Sequence, residues 1–195
     1  MSQIRAFIVY VHGCPGFLNA AICVELGNLI DHSRVIKMGV NPNDRSLSAR
    51  LSPSSLSIDW ETLLYLRFVL ADTLRDSNQA KRRSWIFSDF RGATSTHNTL
   101  PVEDYENAAD KVDLPFIHVI LRCNSQKLRS LSVVGESLRN VNAVDFAVFE
   151  SIRKREEIRA TGKTNELELD ISDLDQAEAA GKIFERIPRI LELYE

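Results

Sequence analysis

Residues Ile8 to Ile30 read IVYVHGCPGFLNAAICVELGNLI. The run Ala6–Val11 is short, apolar and aromatic, with no polar alternation, and it stops at a Gly/Pro turn. That is the signature of a parallel strand buried on both faces. Ile22, Leu26, Leu29 and Ile30 then recur at a spacing that suits one face of a helix over Ala20–Ile30. A strand covered on both sides and followed at once by a helix argues against an antiparallel sandwich and an all-helical bundle. It calls for a parallel sheet between helical layers.

The rest of the chain repeats this alternation. Val35–Met38, Ser84–Ser88 (SWIFS), Phe116–Leu121 (FIHVIL) and Glu166–Ile171 (ELELDI) read as strands. Trp60–Leu74, with Asp59 as a cap, reads as a helix lined by Leu63, Leu64, Phe68, Leu70 and Leu74. Further helices are expected over Val102–Val112, Ser125–Leu131, Val144–Arg159 and Leu174–Leu193, the last broken or kinked at Pro188. Gly39–Ser57 and Arg91–Pro101 are polar loops. Strands alternating with helices give a three-layer α/β domain with a mainly parallel sheet. With 195 residues, no internal repeat and no linker, the chain is read as a single domain over 1–195.

A net charge of −3 and the lack of a long Lys/Arg block give no sign of a nucleic-acid or anionic-membrane surface. Lys81-Arg82-Arg83 reads as a solvated turn. The three cysteines, Cys14, Cys23 and Cys123, form an odd set with two members in core elements, which argues for a reducing compartment. The N-terminus lacks the apolar core and cleavage site of a signal peptide, and no run approaches a membrane span. A cytoplasmic protein is expected. His32 and His118 have no metal-ligand spacing with any Cys or acid, so no metal is expected, nor any cofactor.

The turn after the first strand has the outline of a phosphate-binding loop. That loop reads G-x-x-x-x-G-K-[ST] between a strand and a helix. Gly13 fills the first position and Pro15-Gly16 supplies a tight turn, but Leu18 stands at the second glycine, Asn19 at the lysine and Ala20 at the hydroxyl residue. The bland alternative is a plain strand-to-helix turn.

HGCPG at His12–Gly16, SWIFSDF at Ser84–Phe90, LPFIHVILRCNSQKLRSL at Leu114–Leu131 and TGKTNELELDISDLDQAEAAGKIFERI at Thr161–Ile187 occur in an order that resembles the P-loop NTPase superfamily. The chain looks most like the small adenylate-kinase-like ATP-binding proteins. The resemblance spans most of the chain. It implies a P-loop kinase-like fold with a five-stranded sheet in the order 2-3-1-4-5 and a ligand at the carboxyl ends of the strands. It also implies a lid-like segment around 125–160. Asp89 matches the acid that ends the third strand and is carried over as the catalytic candidate. Gly13, Cys14, Gly16, Leu18 and Asn19 correspond to the loop. Arg129 and Arg139 fall in the lid region, and Arg153 and Arg155 on the helix after it; these four are the candidate ligand-binding arginines.

The departures from the family pattern fall on the chemistry. Phosphoryl transfer is catalysed mainly by positioning and by cations on the migrating group. Asn19 carries no charge, and Ala20 and Ala21 cannot hold magnesium. Leu18 puts a branched side chain where backbone approaches phosphate closely. It is expected either to turn into the apolar space beneath the loop or to fill the phosphate position. The leading expectation is a degenerate kinase-like protein whose cleft serves a small-molecule ligand or a non-phosphoryl reaction. An active kinase with charge supplied by Lys37, Arg91 or Arg139, and a non-catalytic scaffold, are the alternatives. Several candidates carry a structural reading beside the functional one. Asp89 also suits a turn cap, Cys14 a small buried hydrophobe, His12 a packed or backbone-bonded group, His97 a solvent-facing residue, and Arg153 and Arg155 a solvated helix face.

Overall fold

A computed structural model of the chain describes residues 5–13, 17–38, 71, 74–75, 80–89, 102–127, 129 and 160–195, with residues 17, 37, 38 and 89 placed by backbone alone. Along these residues run β1 (Ile8–His12), α1 (Phe17–Leu29), β2 (Ser33–Met38), β3 (Ser84–Asp89), α2 (Val102–Lys111), β4 (Phe116–Arg122), β5 (Glu166–Asp170) and α3 (Gln176–Leu191), closed by a 3-10 turn at Glu192–Tyr194. The five strands form one sheet in the order β2-β3-β1-β4-β5, and every pairing is parallel. The expected order and the expected α/β class are both observed.

The pleat of β1 divides the core in two. All five β1 residues are buried. Val9 and Val11 point into a cluster with Ile22 and Leu26 of α1, Val119 and Leu121 of β4, and Ile183 and Ile187 of α3. Ile8 and Tyr10 point the other way, into a cluster with Trp85, Phe87, Tyr105, Ala109 and Phe116. One face of the sheet is therefore covered by α1 and α3, and the other by α2. This sandwiching is what lets a parallel sheet read as continuous apolar runs.

Helix ends follow local chemistry. Asp175 and Glu178 form a reciprocal capping box that starts α3. Glu103 and Asp104 sit in the first turn of α2 and Lys111 in its last, as the helix dipole favours. The expected break at Pro188 does not occur: α3 runs through it to Leu191. Proline removes one N–H from the ladder, but Ile187 and Ile190 on either side are buried in the core and hold the segment in register. Strand β3 takes in Asp89, which pairs with Met38. Helix α1 begins at Phe17 rather than Ala20, because Leu18 already belongs to the apolar face.

Of the expected helix over Trp60–Leu74, only its end is described: Ala71 is helical and Leu74 is buried in a turn. Of Ser125–Leu131, residues 125–127 and 129 are helical. The expected elements over Gly39–Ser57, Arg91–Pro101 and Val144–Arg159 lie outside the described residues, as does His97. Among the described residues no helix is long and apolar enough to cross a membrane.

Gly13, directly after β1, sits close against β4. Its φ is +133°, and a Cβ there would stand 2.0 Å from the Leu121 carbonyl oxygen. Glycine is needed both for this backbone conformation and for the approach of β1 to β4. Gly13→Ala is expected to cost about 3 kcal/mol or more, from strained backbone plus displacement of β4. Chemical denaturation measures it; a loss below about 1 kcal/mol would show that the joint is loose.

Candidate functional site

The carboxyl end of the sheet brings the sequence candidates partly together. Gly13 directly follows β1, the middle strand. On one side, Ser88 pairs with Val11, so the backbone of Asp89 ends β3 at the same edge. On the other, Ile120 pairs with His12 in β4. Arg129 is exposed after β4. Cys14, Gly16, Arg139, Arg153 and Arg155 lie outside the described residues. Lys37 is placed by backbone alone, beside Ser88.

The first turn of α1 faces inward. Leu18 is 2% exposed and Asn19 is fully buried. Leu18 packs in the cluster that holds Val11, Ile22 and Leu26. Of the two kinds of place open to it, Leu18 takes the apolar one, in the core. Leu18, at the second-glycine position, therefore points into the core, and Asn19, at the lysine position, is shut off from solvent.

A polar chain crosses the sheet just below this edge, on the α2 side. Register places His118 beside Tyr10 and Glu166 beside His118. His118 Nδ1 lies 2.9 Å from Glu166 Oε2, and His118 Nε2 lies 3.0 Å from His12 Nδ1. Both imidazoles are buried, His12 at 6% and His118 at 2% exposure. The far end is fixed by a small backbone cradle. The Thr161 N–H and hydroxyl donate to Glu166 Oε2, and the Gly162 N–H donates to Oε1. Successive N–H groups of this kind make an anion-binding concavity, and here the anion is a side chain of the same protein. Tyr10 stacks on His118 at 5.7 Å and on Tyr105 at 4.0 Å, which holds the rings in a packed aromatic layer.

These contacts dictate the protonation pattern. An ionised carboxylate only accepts, so His118 Nδ1–H donates to Glu166. Neutral His118 then offers Nε2 as an acceptor, and His12 Nδ1–H donates to it. A neutral imidazole has one donor and one acceptor, so His12 Nε2 is left as a bare acceptor. Burial pushes the His12 pKa down to about 3, and the neighbouring His118 pushes the same way. Burial also lowers the His118 pKa, outweighing the Glu166 hydrogen bond and charge that raise it. For Glu166, desolvation would raise the carboxyl, but the hydrogen bonds from Thr161, Gly162 and His118 outweigh it and hold it below the usual carboxylate range.

Of the two structural readings of His12, the packed one holds: it is buried against Tyr10 and His118, and its hydrogen bond goes to an imidazole rather than to backbone. Neither His118 nor Glu166 stood out in the sequence as a site residue. The signal was there in the strand order, because His118 and Glu166 fall on the same pleat as Tyr10 and His12. Among the described residues no group of three or more His, Cys, Asp or Glu is arranged to hold a metal ion.

Both histidines are neutral when folded and have folded pKa values below their unfolded ones. The unfolded chain thus binds more protons as pH falls, and stability is lost on acidification. For His12 the window runs from about 6.5 down to about 3, and the Glu166 contribution is lost as pH falls through and below the ordinary carboxyl range. Between pH 7.5 and 5 the protein should lose about 2 kcal/mol through His12 alone, near 1.4 kcal/mol per pH unit once the unfolded histidine titrates. Urea denaturation across this range checks it, with a flatter curve for His12→Gln. A wild-type curve that is level from pH 7.5 to 5 would refute the neutral pair.

No protein-family model and no curated protein matches the sequence. Solved structures do. A gluconokinase from Sinorhizobium meliloti 1021 matches with a TM-score of 0.61 at 12% identity, covering 98% of both chains. A tunicamycin resistance protein from Deinococcus radiodurans matches at 0.56 and 18% identity, covering 94% of this chain and 96% of the other. An APS kinase from Mycobacterium tuberculosis, in complex with AMPPNP and APS, matches at 0.55 and 15% identity over 95% and 99%. At these identities the likeness is one of fold: this chain has the five-stranded parallel architecture of the P-loop kinases.

Proposed function

We propose that this kinase-like protein no longer performs ordinary magnesium-ATP-dependent phosphoryl transfer, and that its cleft serves a less charged ligand or a non-phosphoryl reaction. The carrying observation is the core packing of Leu18 together with the burial of Asn19 at the start of α1. Phosphate binding at a P-loop rests on backbone N–H groups, a helix N-terminus and a lysine. Here the lysine position holds an uncharged side chain that is buried. A hydrogen bond to a charged group contributes roughly 1.5–3 kcal/mol, so loss of the lysine alone weakens phosphate binding about ten- to a hundred-fold. In this reading the cleft is lined at the sheet edge by Gly13, Cys14, Gly16 and Asp89, with one or more of Arg129, Arg139, Arg153 and Arg155 reaching it. Asp89, at the end of β3, is the side chain assigned to the ligand's reacting or polar group.

The second reading is an active small-molecule or nucleotide kinase with a rearranged phosphate site. It draws support from the neighbours of the fold, which include a gluconokinase and an APS kinase bound to AMPPNP. Titration calorimetry separates the two. The first reading predicts weak or no binding of ATP with magnesium and no detectable hydrolysis. Micromolar, magnesium-dependent affinity would favour the second, with another cation in the lysine's role.

A further inference from the structure

His12 stands at the carboxyl end of β1, one residue before Gly13. Its Nδ1 is engaged with His118, and among the described residues it has no second hydrogen-bond partner. The polarity of the chain is set from its far end. The backbone cradle at Thr161 and Gly162 keeps Glu166 an anion, and an anion leaves His118 no choice but to donate from Nδ1. That choice passes through His118 to His12. The second ring nitrogen of His12, Nε2, is thereby committed as an acceptor, and His12 ends β1 at the carboxyl edge of the sheet, where α/β folds bind ligands.

We infer that His12 Nε2 is a fixed hydrogen-bond acceptor for the cleft, and that the ligand group placed against it is an uncharged or cationic donor, such as a hydroxyl, amide or ammonium, rather than a phosphate. His118 and Glu166 are its positioning residues. An ionised phosphate oxygen is itself only an acceptor, so it meets the lone pair unfavourably. Welcoming it would require an imidazolium at His12, which burial, His118 and the nearby Arg122 all oppose, with only Glu166 in favour. The two-imidazole spacing also rules out escape by tautomer exchange. Reversing His12 would leave two lone pairs facing each other across 3.0 Å. This inference rests on the proposal that the cleft serves a ligand other than a nucleotide phosphate.

Long-range proton–nitrogen NMR on the full chain at pH 7.5 reads the tautomers directly. The expected result is protonated Nδ1 and bare Nε2 at both His12 and His118. In His118→Phe, His12 should lose this preference, and in His118→Gln, whose amide oxygen can accept from Nδ1–H, it should regain it. Wild-type His12 protonated at Nε2 would overturn the inference even if neither variant folds. Ligand class is then tested with two small probes followed at the His12 Nε2 resonance. Ethanolamine, which carries donors, should shift it saturably and bind about five-fold or more tightly than sulfate, a tetrahedral anion without a proton. Tighter binding of sulfate, or no response to ethanolamine, would overturn the assigned ligand class. Tight magnesium-ATP binding would instead remove the proposal on which the inference rests while leaving the tautomers unchanged, so the two failures are distinguishable.

Discussion

Strand β1 is buried on both faces, and the rest of the structure follows from how its side chains alternate. Val9 and Val11 go to the layer of α1 and α3; Ile8 and Tyr10 go to the layer of α2. The next residue on the Tyr10 pleat is His12, a polar ring with almost no solvent. A buried polar group without a partner costs several kcal/mol on transfer scales, of the order of 2–7. The sheet supplies the partner from the adjacent strand, and that partner is satisfied in turn from the strand beyond it. The network is closed by backbone N–H groups before β5, so no charge in it is left uncompensated.

The same edge explains why the strand-to-helix turn keeps its glycine although the rest of the phosphate-loop pattern is absent. Gly13 is required by its positive φ and by the Leu121 backbone against it, independently of any ligand. Leu18 and Asn19 show the complementary trend. Where the phosphate-loop pattern has a glycine and a lysine, this chain has Leu18 in the apolar core and an uncharged, buried Asn19. On the proposed function, a neutral acceptor at His12 and the buried Leu18 and Asn19 belong together, in a cleft with little use for an anion.

Much of the fold was legible because the strands are short, apolar and separated by clear turns. The five strand positions needed only adjustments at their ends, such as Asp89 joining β3 through its pairing with Met38. Pro188 does not break its helix because proline's cost is local, whereas Ile187 and Ile190 bury area on the same helix. The helix start moved to Phe17 because Leu18 is a core residue of the helix face. The histidine chain was not legible from local pattern. Its members are separated by 106 and 48 residues, and only strand order and register bring them together. Once the order 2-3-1-4-5 is accepted, period-two alternation places His118 and Glu166 on the pleat of Tyr10, so the information was present but non-local.

On the proposed function, the position that corresponds to the phosphate-loop lysine is closed to a phosphate, because Asn19 is buried. Asn19→Lys tests it most directly, by measuring unfolding free energy and ATP affinity on the same variant. A buried, uncompensated charge at position 19 should cost about 3 kcal/mol or more and give no gain in magnesium-ATP binding. A variant as stable as the wild type, with newly acquired magnesium-dependent affinity, would show that position 19 still faces a phosphate site and would contradict the account.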